Sequence, residues 1–319
     1  MNSDTDLSGP LRPSFESMKA RITLGNAVTL FAVLVLAALA LATPGFLSMP
    51  AIRSLVTTVS FTGCVAIGMT FITLSGNLMS FSLGASLSAA TLVFVATLGA
   101  GIWPAILAAL LFCAALNALQ GWIVGYFRAN PIIVTMASFA IITGVATSLT
   151  GGRGLYILTN VAAGLKGNLG PVPGPFAAFA ICALIAQLIL SRTALGRRIV
   201  LTGTNPRAML AMGAEPWKAV VWAYALAGLF TGVAAVLMAA RYGSGDLQHG
   251  IGMEYSAIAA VLVGGTAIEG GRGSFLRTFL GALFIAVLQS VLVLRGFSTE
   301  WQRFGMGAVV LLVILLQRK

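Results

Sequence analysis

Between residues 25 and 316 the chain is a succession of apolar runs, nearly free of charge and separated by short polar or glycine-rich breaks. A helix needs about 20 apolar residues to cross a bilayer, and most of these runs approach or exceed that length. Lipid offers no partner to backbone amides and carbonyls, so a spanning segment must satisfy its hydrogen bonds internally, as a helix does. The fold class that follows is all-α, a polytopic membrane protein. Composition agrees, since 8% of the 319 residues are charged, against about 25% in a soluble domain.

Ten spans are expected, at about residues 25–42, 52–74, 81–98, 103–127, 132–149, 176–190, 219–240, 251–268, 274–294 and 304–316. Residues 1–24 form a polar tail with Asp4, Asp6 and Glu16 among its basic residues, and 25–319 form a single transmembrane domain. The three acids, and an apolar run longer than a signal peptide's, argue against cleavage after the first span. An even number of spans puts both termini on one side. With the termini cytoplasmic, the inside segments collect Arg12, Lys19, Arg21, Arg128, Arg192, Arg197, Arg198, Arg207, Lys218, Arg272, Arg277, Arg318 and Lys319. The outside keeps Arg53, Arg153, Lys166, Arg241, Arg295 and Arg303. Lysine and arginine resist translocation, so this bias sets the termini inside. The same argument explains the net charge of +11 as a topology signal. The basic residues lie between spans, not on one solvated face interleaved with aromatics, and no nucleic-acid partner is expected.

Cys64, Cys113 and Cys182 fall inside apolar runs without metal-ligand spacing and read as small buried hydrophobes. No metal or cofactor is expected. No ionisable residue stands well inside a span, Glu254 and Glu269 lying near the ends of the eighth, which argues against an ion-driven pump and against a membrane-embedded enzyme. Asn117 and Gln120, three apart on the fourth span, share a face. They either line a hydrophilic path or join helices by hydrogen bonds worth about 1 kcal/mol each. Gln187 and Gln289 read as such joining residues. Gly121–Gly125 and Gly228–Gly232 are GxxxG pairs that let backbones approach closely, here within one subunit.

Two polar stretches remain. The glycine-rich hinge from Gly264 to Gly273, with Glu269, Arg272 and nearby Arg277, could free amides for a phosphate. It lacks the Gly-Lys-Ser/Thr ending of a nucleotide loop and follows no soluble strand, so a tight turn with local ion pairing is expected. Residues 191–218 form a 28-residue interruption, well beyond the usual ~2–8 residue helix connection. Within it Asn205-Pro206-Arg207-Ala208 is placed to open a short amphipathic helix and Met212-Gly213 to close it.

The run ALNALQGWIVGYFRANPIIVTMASFAIITGVATSLTGGRG, the loop GTNPRAMLAMGAEPWK and the block IAAVLVGGTAIEGGRGSFLRTFLGALFIAVL occur in that order. Together they resemble the permeases of ribose-type ABC importers over roughly residues 60–316. One departure stands out. Where the family reads G-G-x-D-L-S-V-G, this chain reads Ser75-Gly-Asn-Leu-Met-Ser-Phe-Ser82, with Leu78 at the aspartate position and only Gly76 and Ser80 retained.

The resemblance implies a multi-pass permease of the cell inner membrane, surrounded by lipid, that moves a simple sugar or similar polar metabolite. Its partners would be cytoplasmic ATP-binding subunits, an extracytoplasmic solute-binding protein and a second permease copy or homologue. It would not itself be an enzyme. Asn205, Pro206, Arg207, Ala208, Met212, Gly213, Glu269 and Arg272 are the candidate contacts to the ATPase. Asn117, Gln120, Asn77 and Ser80 are candidates for the path. A nucleoside, branched-chain amino acid or signalling-molecule permease, or a stand-alone transporter or channel, are the alternatives.

Overall fold

The computed structural model describes residues 40, 42–157, 168–169 and 172–317. The tail at 1–24, nearly all of the first expected span, Lys166, Arg318 and Lys319 lie outside the described residues. The helices are α1 Met49–Leu74, α2 Leu83–Thr97, α3 Ile102–Tyr126, α4 Pro131–Thr150, α5 Gly174–Arg192, α6 Ala194–Thr204, α7 Pro206–Ala211, α8 Pro216–Tyr242, α9 Met253–Val263, α10 Phe275–Leu294 and α11 Thr299–Gln317. Proline stands in the first two positions of α1, α4, α5, α7 and α8, where its missing N–H has no helical partner to lose. Two short antiparallel pairings complete the fold, Leu155–Tyr156 with Ser244–Gly245 and Asn168–Leu169 with Val172–Pro173.

Among the described residues seven helices are long and apolar enough to cross a membrane: α1, α2 with its 3-10 continuation, α3, α4, α5, α8 and α10. They coincide with expected spans two to seven and nine. The tenth is covered by the 19-residue α11. The eighth differs. Its helix, α9, has 11 residues, about 16 Å at 1.5 Å per residue, because glycines interrupt it on both sides. Gly252 at φ +86° precedes it and Gly265 at φ +74° follows it, backbone conformations that L side chains rarely adopt.

The helices after the interruption repeat the packing of those before it. α8 lies against α2 and α3 as α1 lies against α9 and α10, and α2 touches α3 and α4 as α9 touches α10 and α11. Gly68 of α1 packs on the backbone of Ala227 in α8, at the centre of the bundle. Along the α1–α8 contact Phe61 meets Tyr242 and Phe71 meets Phe230, so the two four-helix units run in opposite senses. Each unit breaks after its first helix, at residues 75–82 and 243–252.

α1 and α8 form the core. In α1 every residue from Val59 to Leu74 is buried, while α4 exposes Ile133, Met136, Ile141, Val145 and Leu149 along its length. Apolar side chains gain little by leaving lipid, so the centre is held by close packing of small residues. Both GxxxG pairs lie in the α3–α8 seam, as expected of packing within one subunit. Gly121 meets Tyr224, Gly125 meets Trp217, Gly228 meets Cys113 and Ala114, and Gly232 meets Leu110. This alternation shows that the helices run antiparallel.

Candidate functional site

At one end of the bundle the polar interruption folds as two helices, one more than the sequence suggested. α6 is opened by Thr193, whose hydroxyl accepts from the amide of Gly196 at 3.1 Å, and it buries Gly196, Ile199 and Thr202 on one face. The signal for it was there in the three-residue spacing of those positions behind a capping threonine. α7 follows as expected. The Asn205 side chain accepts from the amide of Ala208 at 3.0 Å, and Gly213, at φ +72°, ends the turn with its amide on the Leu210 carbonyl at 2.9 Å. Met209 is buried under the helix and takes the Thr202 hydroxyl on its sulfur at 3.3 Å. Arg207, Leu210, Ala211 and Met212 face outward. A six-residue helix with Leu210 53% and Met212 66% exposed is a rigid apolar knob beside a positive charge.

The hinge between α9 and α10 lies at the same end and touches α6. It is not a two- or three-residue turn. Its amide at Ala267 bonds the Arg272 carbonyl at 2.9 Å, and Gly271 donates to the Leu74 carbonyl at 3.1 Å. A Cβ on Gly203 would meet the Leu74 carbonyl oxygen, the amide of Gly271 and the amide of Gly76, and one on Gly270 would meet the Cα of Gly76 at 2.5 Å. Four glycines thus let three backbone segments close on one point: the end of α1, the end of α6 and the hinge. Glu269, Arg272 and Arg277 are exposed there. The expected local ion pairing is absent, since the single salt bridge among the described residues joins Lys218 to Glu215. Gly270 and Gly271 spend their amides on Ala267 and Leu74, so no phosphate cradle is formed.

Between α2 and α3 lies a buried polar seam. The Ser82 hydroxyl donates to Gln120 Oε1 at 2.6 Å and stands 3.1 Å from the hydroxyl of Ser80. Asn117 Nδ2 donates to the Cys113 carbonyl at 2.9 Å. Asn117 Oδ1, Gln120 Nε2 and the hydroxyls of Ser86, Tyr224 and Thr231 are buried without a partner. Gln120 and Ser80 are therefore brought together through Ser82, while Asn117, one turn away on α3, bonds its own helix. Asn77 is not among them. Its Nδ2 bonds the Ser75 hydroxyl at 2.9 Å beside the glycine junction, and Leu78 is exposed.

Glu254, expected near an end of the eighth span, is buried inside the bundle. It occupies the first turn of α9, is 4% exposed, and lies against Gly84 in the first turn of α2. Sequence reasoning missed it because α9 was taken to begin at a surface.

A helical membrane bundle built from two opposed units, each broken after its first helix, with a capped knob at one end, defines the class as a polytopic permease. The family model described as "Branched-chain amino acid transport system / permease component" matches residues 51–314, and the chain belongs to that family. It is 32% identical over 302 residues to a ribose import permease protein of Bacillus subtilis (strain 168), covering 93% of this chain and 92% of that one. A ribose import permease protein of Escherichia coli (strain K12) is 31% identical, covering 91% and 93%. An autoinducer 2 import system permease protein of Escherichia coli O9:H4 (strain HS) is 30% identical, covering 79% of each chain. The protein is a permease subunit of an ABC importer and a multi-pass protein of the inner membrane. Membership implies an ATP-binding subunit and a solute-binding protein as partners.

Proposed function

We propose that this permease carries a pentose or similar small sugar, with α7 as the element that docks in its ATP-binding subunit. Likeness to two ribose import permeases over nine-tenths of the chain supports the solute class. The observation that carries the coupling role is the α7 knob. It exposes Arg207, Leu210 and Met212 while Met209 and the Asn205 cap fix its orientation. Glu269 and Arg272, exposed on the adjoining hinge, flank the same contact. ATP hydrolysis belongs to the separate subunit, and this chain contributes none of it. The assembly contains a second permease, identical or homologous, in the surrounding lipid. The succession of apolar runs supports ten spans in a single domain over 25–319, and the charge bias supports cytoplasmic termini.

In this reading Asn117, Gln120 and Ser80 serve the path. Buried polar atoms left unpaired cost about 1–3 kcal/mol each, and Asn117 Oδ1 and Gln120 Nε2 are two such atoms. They gain partners when the seam opens to a hydroxyl-bearing solute. Asn77 holds the α1 end of the segment leading to that seam.

The test is uptake of labelled ribose in a strain lacking its own ribose permease, with this chain, its ATP-binding subunit and its solute-binding protein supplied together. Ribose uptake that requires all three supports the reading, and uptake without the ATP-binding subunit rejects it. A second reading, import of a signalling molecule, is favoured by the autoinducer 2 relative. It predicts that autoinducer 2, and not ribose, accumulates.

A further inference from the structure

α2 and α9 begin at the same place and run apart. Gly84, in the first turn of α2, abuts the Glu254 carboxylate in the first turn of α9, and Gly250 packs on the Gly84 carbonyl. The far end of α2, at Phe94 and Leu98, packs with Ala105 and Ala239 at the C-terminal end of α8. The far end of α9 leads to the hinge at the opposite, α7 end. The segment joining α8 to α9 descends along α2. The amide of Asp246 donates to the Thr91 hydroxyl at 3.2 Å, and that of Gly250 donates to the Ser88 hydroxyl at 2.9 Å. With 15 and 11 residues, the two helices extend about 22 Å and about 16 Å from their meeting point. Each is shorter than the ~30 Å hydrocarbon core, and their far ends lie at opposite ends of the bundle, so the meeting point lies inside the core.

Two helix N-termini facing one another present two positive ends, which a carboxylate offsets. Glu254 does more than that. One oxygen accepts from the amide of Gly252 at 3.3 Å, while Oε2 is buried with no hydrogen-bond partner. Next to this carboxylate in the chain, Ile251 of the second break is 43% exposed and Tyr255 in the first turn of α9 is 50% exposed. Phe81 of the first break and Tyr255 form an edge-on ring pair with centroids 6.4 Å apart. A tyrosine hydroxyl at this depth is disfavoured against lipid tails, because it needs a hydrogen-bond partner.

We propose that the head-to-head meeting of α2 and α9 is a hydrated crossing point of the transport path. There Glu254 and the Phe81–Tyr255 pair contact a neutral, hydroxyl-rich solute. The carboxylate accepts from solute hydroxyls and excludes anions, and the rings present apolar faces to the C–H faces of a sugar. Polar groups at the meeting point of broken helices near the bilayer midplane are a recurring way to build such a site. The assignment rests on the sugar-import reading for the identity of the solute, and on geometry alone for the hydrated crossing.

The experiment places single cysteines at Ile251 or Tyr255 in the full-length chain in membranes, with Leu184→Cys on the exposed face of α5 as the lipid-facing reference. Cys64, Cys113 and Cys182 are buried, so the parent chain serves as the blank. Reaction with a cationic and an anionic methanethiosulfonate reagent is measured with and without Glu254→Gln. The crossing predicts rates at least about tenfold above the Leu184→Cys reference, by the exclusion of water and charge from the lipid interior. It also predicts a preference for the cationic reagent at Tyr255→Cys that falls when Glu254→Gln is added. Rates no faster than the reference at both positions overturn the crossing. A reagent preference unmoved by Glu254→Gln overturns the role of its carboxylate. Neither readout needs ribose or ATP turnover, so this assignment and the sugar-import reading fail on separate measurements.

Discussion

The amide of Gly271 donates to the carbonyl of Leu74 at 3.1 Å, joining the hinge after α9 to the last residue of α1. The carbonyls at a helix C-terminus have no partner within the helix, and here a segment almost two hundred residues away supplies one. Gly203, two residues before the α7 cap, fills the remaining space. The end of α6, which leads into α7, is thereby packed directly on the end of α1 and on the segment 75–82 that begins there. The backbone atoms are too close for independent movement.

Gly213→Leu is expected to uncouple transport while the protein still inserts. The residue is at φ +72° with open space around its missing Cβ, so a side chain strains the backbone by about 1–2 kcal/mol without clashing. The helix end it distorts carries Met212. Ribose uptake falls at unchanged membrane abundance; wild-type uptake rejects α7 as the coupling element.

Gly203→Ala is expected to cost more. Its Cβ would collide with the backbones of Leu74, Gly271 and Gly76, two of them at 2.7 and 2.9 Å. Relieving such overpacking costs about 1–3 kcal/mol. Thermal unfolding in detergent should begin at lower temperature than for Gly307→Ala, a helical glycine with nothing within 4 Å of its missing Cβ.

Asn205→Ala removes the side-chain acceptor from the α7 N-terminus, a loss of about 1 kcal/mol. Uptake should decline partially, and Asn205→Asp should restore it because aspartate caps equally well. Equal loss in both variants would assign Asn205 to partner contact instead of capping.

For the buried seam, cysteines at Asn117 and Gln120 should react with a water-soluble thiol reagent during turnover if the seam opens to the path. They should be inert throughout if the two amides only join helices. Gln120 already bonds Ser82 at 2.6 Å, so its reactivity decides between the two roles.

Much of this architecture was legible in the chain. Apolar runs long enough for the bilayer gave the helices from α1 to α5, α8 and α10, because lipid forces each to complete its own hydrogen bonds. Asn205, Pro206 and Gly213 marked α7 at the residues that bound it, since capping is local chemistry. The two GxxxG pairs were legible as close-packing sites, but that both lie in one seam between α3 and α8 was not.

What the sequence determined by itself was a membrane-spanning helical protein with a capped polar element between its two halves. Tertiary structure alone decided three things: that α2 and α9 start inside the bundle, that Glu254 lies between them, and that Gly76, Gly203, Gly270 and Gly271 close on one point. The physical reason is that hydropathy reports what a residue prefers to leave. The depth of a carboxylate, or the meeting of two backbones, depends on contacts between segments far apart in the chain, which no local pattern encodes.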